Sequence, residues 1–131
     1  MSVLVDTIVI ADLFYNDPIW AGWSREQLIQ YAEESFINPL VYSELCCRAT
    51  SVDEVNQSLA SLGLQYRELP KESLYLAAQA FRIYRGRGGV KTSPLPDFFI
   101  GAHAVTLGVP ILTRDVTRYR AYFPSVSLIC P

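Results

Sequence analysis

The run PLPDFFIGAHAVTLGVPILTRD, residues 94–115, constrains the fold of this chain more than any other stretch. Two prolines make a turn, and Asp97 stands at the mouth of a helix, FFIGAHAVTLG, apolar enough to be buried. A short strand, VPILT, follows and ends in Asp115. In an open parallel sheet, the turns beyond the carboxyl ends of the strands point into the crevice where ligands bind. Asp115 occupies such a turn, and Asp97 opens the helix that leads into the same strand. Carboxylates at equivalent positions elsewhere therefore decide what the crevice can do.

At 131 residues the chain is expected to form one domain, residues 1–131, with a sizeable core. Half of its residues are apolar, yet no apolar run approaches the roughly 20 residues of a membrane span. The start, MSVLVD, lacks the basic region and cleavage site of a secretory signal, so a cytoplasmic location is expected. Cys46, Cys47 and Cys130 have no metal-ligand spacing, and their odd number argues against a disulfide framework; they read as buried small hydrophobes. Charge is unevenly spread. Residues 1–81 hold eleven acids and four bases, a net −7, whereas residues 82–131 hold seven bases and two acids, a net +5. Those two acids are Asp97 and Asp115. A basic segment whose acids lie only in the suspected site suits a polyanionic substrate that also meets a metal, although a solvated basic surface reads the same way.

Taken in order, the chain alternates strands with helices. The apolar run from Ser2 ends at Asp6 and Thr7, the pattern of a central strand buried on both faces, and IVIADLF continues at helical or turn spacing until Asn16, Asp17 and Pro18 break it. Ser24 is expected to cap the helix REQLIQYAEES, with Gln27 completing a capping box and Leu28, Tyr31 and Ala32 on its apolar face. FIN, residues 36–38, reads as a second strand, with Asn38 capping the helix PLVYSELCCRAT that starts at Pro39 and carries Glu44. The next helix, VDEVNQSLASLG, is capped by Ser51 or Asp53 and closed by Gly63. LQYREL, residues 64–69, alternates as a strand at or near an edge. Pro70 opens KESLYLAAQAFRIYR, with Leu74, Ala77, Ala78, Phe81 and Tyr84 as its buried stripe and Arg82 and Arg85 projecting together. The flexible loop GRGGVKTSP lacks the glycine spacing of a phosphate-binding loop. After Asp115, VTRYRAYF reads as a short basic helix and SLIC, residues 127–130, as the last strand. Such alternation implies a three-layer α/β/α fold around a central, mainly parallel five-stranded sheet.

Asp6, Glu44, Asp97 and Asp115 thus stand at functional-looking places. Each has an ordinary alternative: Asp97 and Asp115 precede helices, where aspartate serves as a cap, and a helical glutamate is usually solvated. Asp6 is harder to dismiss, since a carboxylate ending an apolar strand loses solvation. If the four converge, they cannot all ionise without a counter-charge. Mg2+ or Mn2+, hard cations that take oxygen ligands, supply it, and such a site performs phosphate chemistry. His103 is the sole histidine, nearly two helical turns beyond Asp97, and reads as a core or surface residue rather than a general base.

The arrangement VDT after the first strand, VYSEL on an early helix, PLPDFFIGAHA on a later one and ILTRD after the fourth strand resembles a PIN-domain ribonuclease, most closely the VapC-type toxins of toxin–antitoxin modules. The resemblance covers essentially the whole chain. It implies an acidic site of Asp6, Glu44, Asp97 and Asp115, with Mg2+ or Mn2+ held chiefly by Asp6 and Asp97, directly or through water. Thr113 matches a family hydroxyl position, and Thr7 is a second supporting hydroxyl. The resemblance also implies an RNA substrate, a homodimer and a cognate antitoxin protein whose tail crosses the acidic site. Arg82, Arg85, Arg87, Lys91, Arg114 and Arg118 are the candidates for gripping the RNA backbone.

One departure from the pattern is Ile8, where family members commonly carry Asn or Ser. Loss of a hydrogen bond behind a metal site costs roughly 10 to 100-fold in affinity or activity, so the expectation is a working but weakened endoribonuclease. The alternative is a non-catalytic RNA- or partner-binding module on the same fold. A phosphatase with Asp6 as nucleophile is disfavoured, because the D-x-D-x-T pattern it resembles has Ile8 at its third position.

Overall fold

A computed structural model describes residues 1–131. Five strands and seven helices follow one another as β1 (Val3–Val5), α1 (Thr7–Phe14), α2 (Ala21–Gln30), β2 (Ser35–Ile37), α3 (Pro39–Cys46), α4 (Val52–Ser61), β3 (Gln65–Tyr66), α5 (Lys71–Gly86), α6 (Pro96–Leu107), β4 (Ile111–Leu112), α7 (Thr117–Tyr122) and β5 (Leu128–Ile129). The strands form one sheet in the order β3-β2-β1-β4-β5. Every pairing is parallel, so the sheet is wholly rather than mainly parallel, within a three-layer α/β/α arrangement. β1 lies at its centre, and Val3, Leu4 and Val5 are completely buried, which is why that run carries no polar alternation. No helix is long and apolar enough to cross a membrane.

Local chemistry accounts for three helix ends. Asn38 Oδ1 accepts from the Leu40 and Val41 amides at 3.0 and 3.1 Å, with Pro39 in the first turn of α3. Ser51 Oγ accepts from the Glu54 amide at 3.1 Å and caps α4. Gly108, at φ 66°, takes the left-handed conformation that ends α6.

Ser24 is not the cap it resembles. α2 starts at Ala21, one turn after Asp17 Oδ1 accepts from the Ile19 and Trp20 amides at 2.9 and 2.8 Å. Ser24 is buried inside the helix and donates to Asp12 Oδ2 at 2.7 Å. A buried partner thus outweighs a local capping signature, and Tyr31 and Ala32 fall beyond the end of α2. The inward face of α5 is likewise rotated: Ser73, Ala77 and Ala80 are buried, while Leu74 is 43% exposed and Ala78 is also exposed. Ser73 faces inward because its hydroxyl donates to Thr106 Oγ1 on α6 at 2.9 Å. All three cysteines are free, but none is buried as expected: Cys47 is exposed and Cys46 and Cys130 are partly buried.

Candidate acidic site

Backbone pairing at the sheet centre fixes the first two groups of the site. The Asp6 amide donates to the Leu112 carbonyl at 2.9 Å and the Thr113 amide to the Ile129 carbonyl at 3.0 Å, so both residues extend the ladder just beyond the carboxyl ends of β1 and β4. Asp6 is 6% exposed. Its Oδ2 accepts two hydrogen bonds, from the Thr113 hydroxyl at 2.9 Å and from the Tyr119 hydroxyl at 3.0 Å. Both donors use one oxygen and leave the other outside either bond. Across the crevice, Thr7 Oγ1 donates to Glu44 Oε1 at 2.7 Å and ties the start of α1 to the middle of α3. Asp97, in the first turn of α6, is about one-third exposed with its Oδ2 4.0 Å from Arg118 Nε on α7. The Asp115 amide donates to Thr113 Oγ1 at 3.0 Å, which folds the turn after β4 back onto the hydroxyl that holds Asp6.

Electrostatics link the acids. Burial pushes the Asp6 carboxyl up to about pKa 6, with Asp97 and Glu44 raising it further against the two hydroxyl donors. Asp97 is also raised, first by burial, with Arg118 opposing and Asp115 and Glu44 reinforcing. Asp6 therefore feels Asp97 and Glu44, and Asp97 feels Asp115 and Glu44. Burial first, then the negative charge of Asp6, raises the Tyr119 phenol, which stays protonated and acts as a donor.

The donor set is hard oxygen with an excess of negative charge, the chemistry that suits Mg2+ or Mn2+. No three Asp, Glu, His or Cys side chains close into a ready cage. The residues present are compatible with such an ion.

A family model described as the PIN domain matches residues 3–124. The chain belongs to the PIN domain family. No curated protein matches it in sequence. Among solved structures, VapBC2 from Rickettsia felis bound to a promoter DNA fragment aligns with a TM-score of 0.73 at 14% identity, covering 100% of this chain and 99% of that one. A toxin–antitoxin complex from Klebsiella pneumoniae gives 0.72 at 19% identity, covering 99% and 98%. DNA-bound VapBC from Salmonella typhimurium gives 0.74 at 14% identity, again covering 99% and 98%. At these identities the likeness is one of fold.

In this PIN domain His103 is 1% exposed, and its Nδ1 lies 3.2 Å from Asn38 Nδ2. Burial, aided by the Arg67 charge, lowers its pKa to about 4. It is a neutral core residue and no general base for an external substrate.

The basic candidates separate. Arg82, Arg85, Arg87 and Lys91 are exposed around the end of α5 and the following loop. Within that group Arg85 Nη1 donates to the Lys91 carbonyl at 2.8 Å, and the Arg87 guanidinium lies 5.1 Å from the Tyr122 ring. Arg118 sits 5.7 Å from the rings of Tyr84 and Phe98, beside Asp97. Arg114 departs from the free cations: its Nε and Nη2 each donate to Asp12 at 2.9 Å. Ile8 is half-buried and packs against the apolar core.

Sequence reasoning missed Tyr119 and Asp12. Tyr119 carries a faint signal, because Tyr119 and Phe123, four apart in a basic helix, both face inward. Asp12 carries none, since its partner lies 102 residues away.

Proposed function

We propose that this PIN domain is a metal-dependent endoribonuclease, hydrolysing RNA phosphodiester bonds, and the toxin of a toxin–antitoxin pair. The observation that carries the reading is a buried Asp6 whose charge is opposed by Asp97 and Glu44 and which is held by two hydroxyl donors beyond the centre of a parallel sheet. Asp6 and Asp97 would hold Mg2+ or Mn2+, directly or through water, with Glu44 and Asp115 completing the site. When bound, such an ion neutralises charge at the phosphoryl group and acidifies water. The Thr113 and Tyr119 hydroxyls fix the Asp6 carboxylate, and Thr7 fixes that of Glu44. Arg118 stands beside Asp97, where it can meet a phosphate oxygen, and Arg82, Arg85, Arg87 and Lys91 offer the strand a basic approach.

The toxin assignment is supported by the full-length likeness to toxin–antitoxin complexes. It brings an antitoxin partner and a homodimer as further parts of the proposal. An antitoxin arginine placed among these carboxylates would suit their charge. Co-purification with the product of an adjacent small reading frame tests that partner, and a stable lone monomer argues against it.

The decisive assay is cleavage of mixed RNA with Mg2+, Mn2+ and EDTA, beside Asp97→Asn. Metal-dependent cutting should be lost in the variant with the fold intact; a variant that still cuts sinks the site assignment. A second reading, a binding module of the same fold, is favoured by the apolar Ile8 packed against the core. It predicts RNA binding without metal and no cutting in Mn2+.

A further inference from the structure

We propose that Asp12 and Arg114 form a clamp that sets the Thr113–Asp115 turn, making Asp12 a positioning residue of the acidic site; the proposal rests on reading that site as a cation-dependent nuclease centre. Asp12 projects from α1 and is 3% exposed. It receives Arg114 through two parallel bonds of 2.9 Å and Ser24 through a third of 2.7 Å. Asp17 Oδ2 lies 3.9 Å from the same Arg114 nitrogen, and the Trp20 ring lies 5.5 Å from the guanidinium. The helical pair α1–α2 therefore closes around one side chain of the turn after β4.

Stability is a poor reason for this arrangement. A buried ion pair loses so much solvation that apolar replacements often match it. A bidentate Arg–carboxylate pair instead supplies direction, because two parallel bonds fix both position and plane. Direction is what this turn needs. Beyond Thr113, whose amide still pairs with Ile129, residues 114–116 lie outside any strand or helix. Arg114 sits between Thr113, whose hydroxyl donates to Asp6, and Asp115, whose amide donates to that same hydroxyl. A shift of the Arg114 backbone moves both neighbours. Asp12 is buried and of the same sign of charge as RNA, so any effect it has on the site travels through Arg114.

The test compares wild type, Asp12→Asn, Arg114→Lys and the double variant by amide hydrogen exchange of residues 113–117 without metal, and by Mn2+ titration read as water-proton relaxation. Asp12→Asn should lower protection of the turn amides about tenfold and Mn2+ affinity about 10 to 100-fold, with metal-free RNA binding and its salt dependence unchanged. Arg114→Lys should reproduce the first two effects, and the double variant should be no worse than either single one, as members of one unit are non-additive. Unchanged exchange and Mn2+ affinity in Asp12→Asn would overturn the clamp, as would an Arg114→Lys that alters only the salt dependence of RNA binding. Should Asp12→Asn fail to fold, Ser24→Ala removes one bond to Asp12 and should shift both readouts the same way by a smaller amount; no shift there counts against the clamp. A wild type that takes up no Mn2+ defeats the nuclease reading, while the exchange comparison still decides the clamp.

Discussion

At the carboxyl end of β1 an acid is held almost out of water beside others of the same charge, and its ionised form gains only two hydroxyl donors in return. Asparagine at that position would accept both donors through its amide oxygen and abolish the repulsion. Asp6→Asn is therefore expected to raise metal-free stability at pH 7.5 by about 1–2 kcal/mol while removing any stabilisation by Mn2+, measured as urea midpoints with and without the ion. A metal-free variant less stable than wild type would mean that the ionised carboxylate is well tolerated. His103 makes the opposite kind of demand. Its pKa falls from the ordinary 6.5 to about 4 on folding, so the unfolded chain takes up the proton first. Stability from this residue is complete above about pH 6.5 and is lost as pH falls toward 4, by on the order of 2 kcal/mol. Asp6, raised to about 6, gains stability over the same range, so the His103 effect is read as a difference: from pH 7.5 through 6 to 5 the urea midpoint should fall relative to that of His103→Gln, and parallel profiles would remove His103 as the cause.

Among the elements, α6 and α7 place three functional side chains and depend on one close approach. A Cβ built on Gly101 would lie 2.2 Å from the Phe123 ring, which is itself 6% exposed. Phe123 ends the short helix that carries Arg118 and Tyr119, so the missing methyl on α6 lets α7 bring Tyr119 down onto Asp6. Alanine gains about 1 kcal/mol in helix propensity, but displacing a packed ring costs typically 1–3 kcal/mol. Gly101→Ala should lose up to about 2 kcal/mol net by thermal unfolding, with an altered aromatic circular dichroism signal; a stabilised variant with an unchanged signal would show that the ring moves freely.

For the molecule as a whole, the division between an acidic first part and a basic last fifty residues becomes spatial through the sheet order. β1 and β4 are neighbours although more than a hundred residues separate them, and their adjacency sets Thr113 against Asp6, while α7 brings Arg118 beside Asp97. RNA held by Arg82, Arg85, Arg87 and Lys91 should bind less tightly as salt rises. Each of these replaced by alanine should reduce the log–log slope by about 0.7 for single-stranded RNA. The same test applied to Asp12→Asn should show no change of slope. Slopes in the alanine variants unchanged from wild type would place the RNA path elsewhere.

Strand and helix alternation, the buried central run Val3–Val5 and the caps at Asn38 and Ser51 were legible from residue order, as was the placing of Asp6 at the end of β1 and Asp97 in the first turn of α6. Apolar period and turn chemistry act within a few residues, and the family pattern rests on joint spacing. Three-dimensional contacts overrode that reading where a distant partner outbid a local preference: Ser24 serves Asp12 instead of capping α2, Arg114 is pinned instead of free, and the buried face of α5 turns toward Thr106. Tyr119 became part of the site in the same way, by a hydrogen bond spanning 113 residues. Local sequence set which elements form and which ends are polar. Only the parallel pairing of β1 with β4 decided which polar ends meet, because a hydrogen bond or an ion pair depends on distance through space and is blind to distance along the chain.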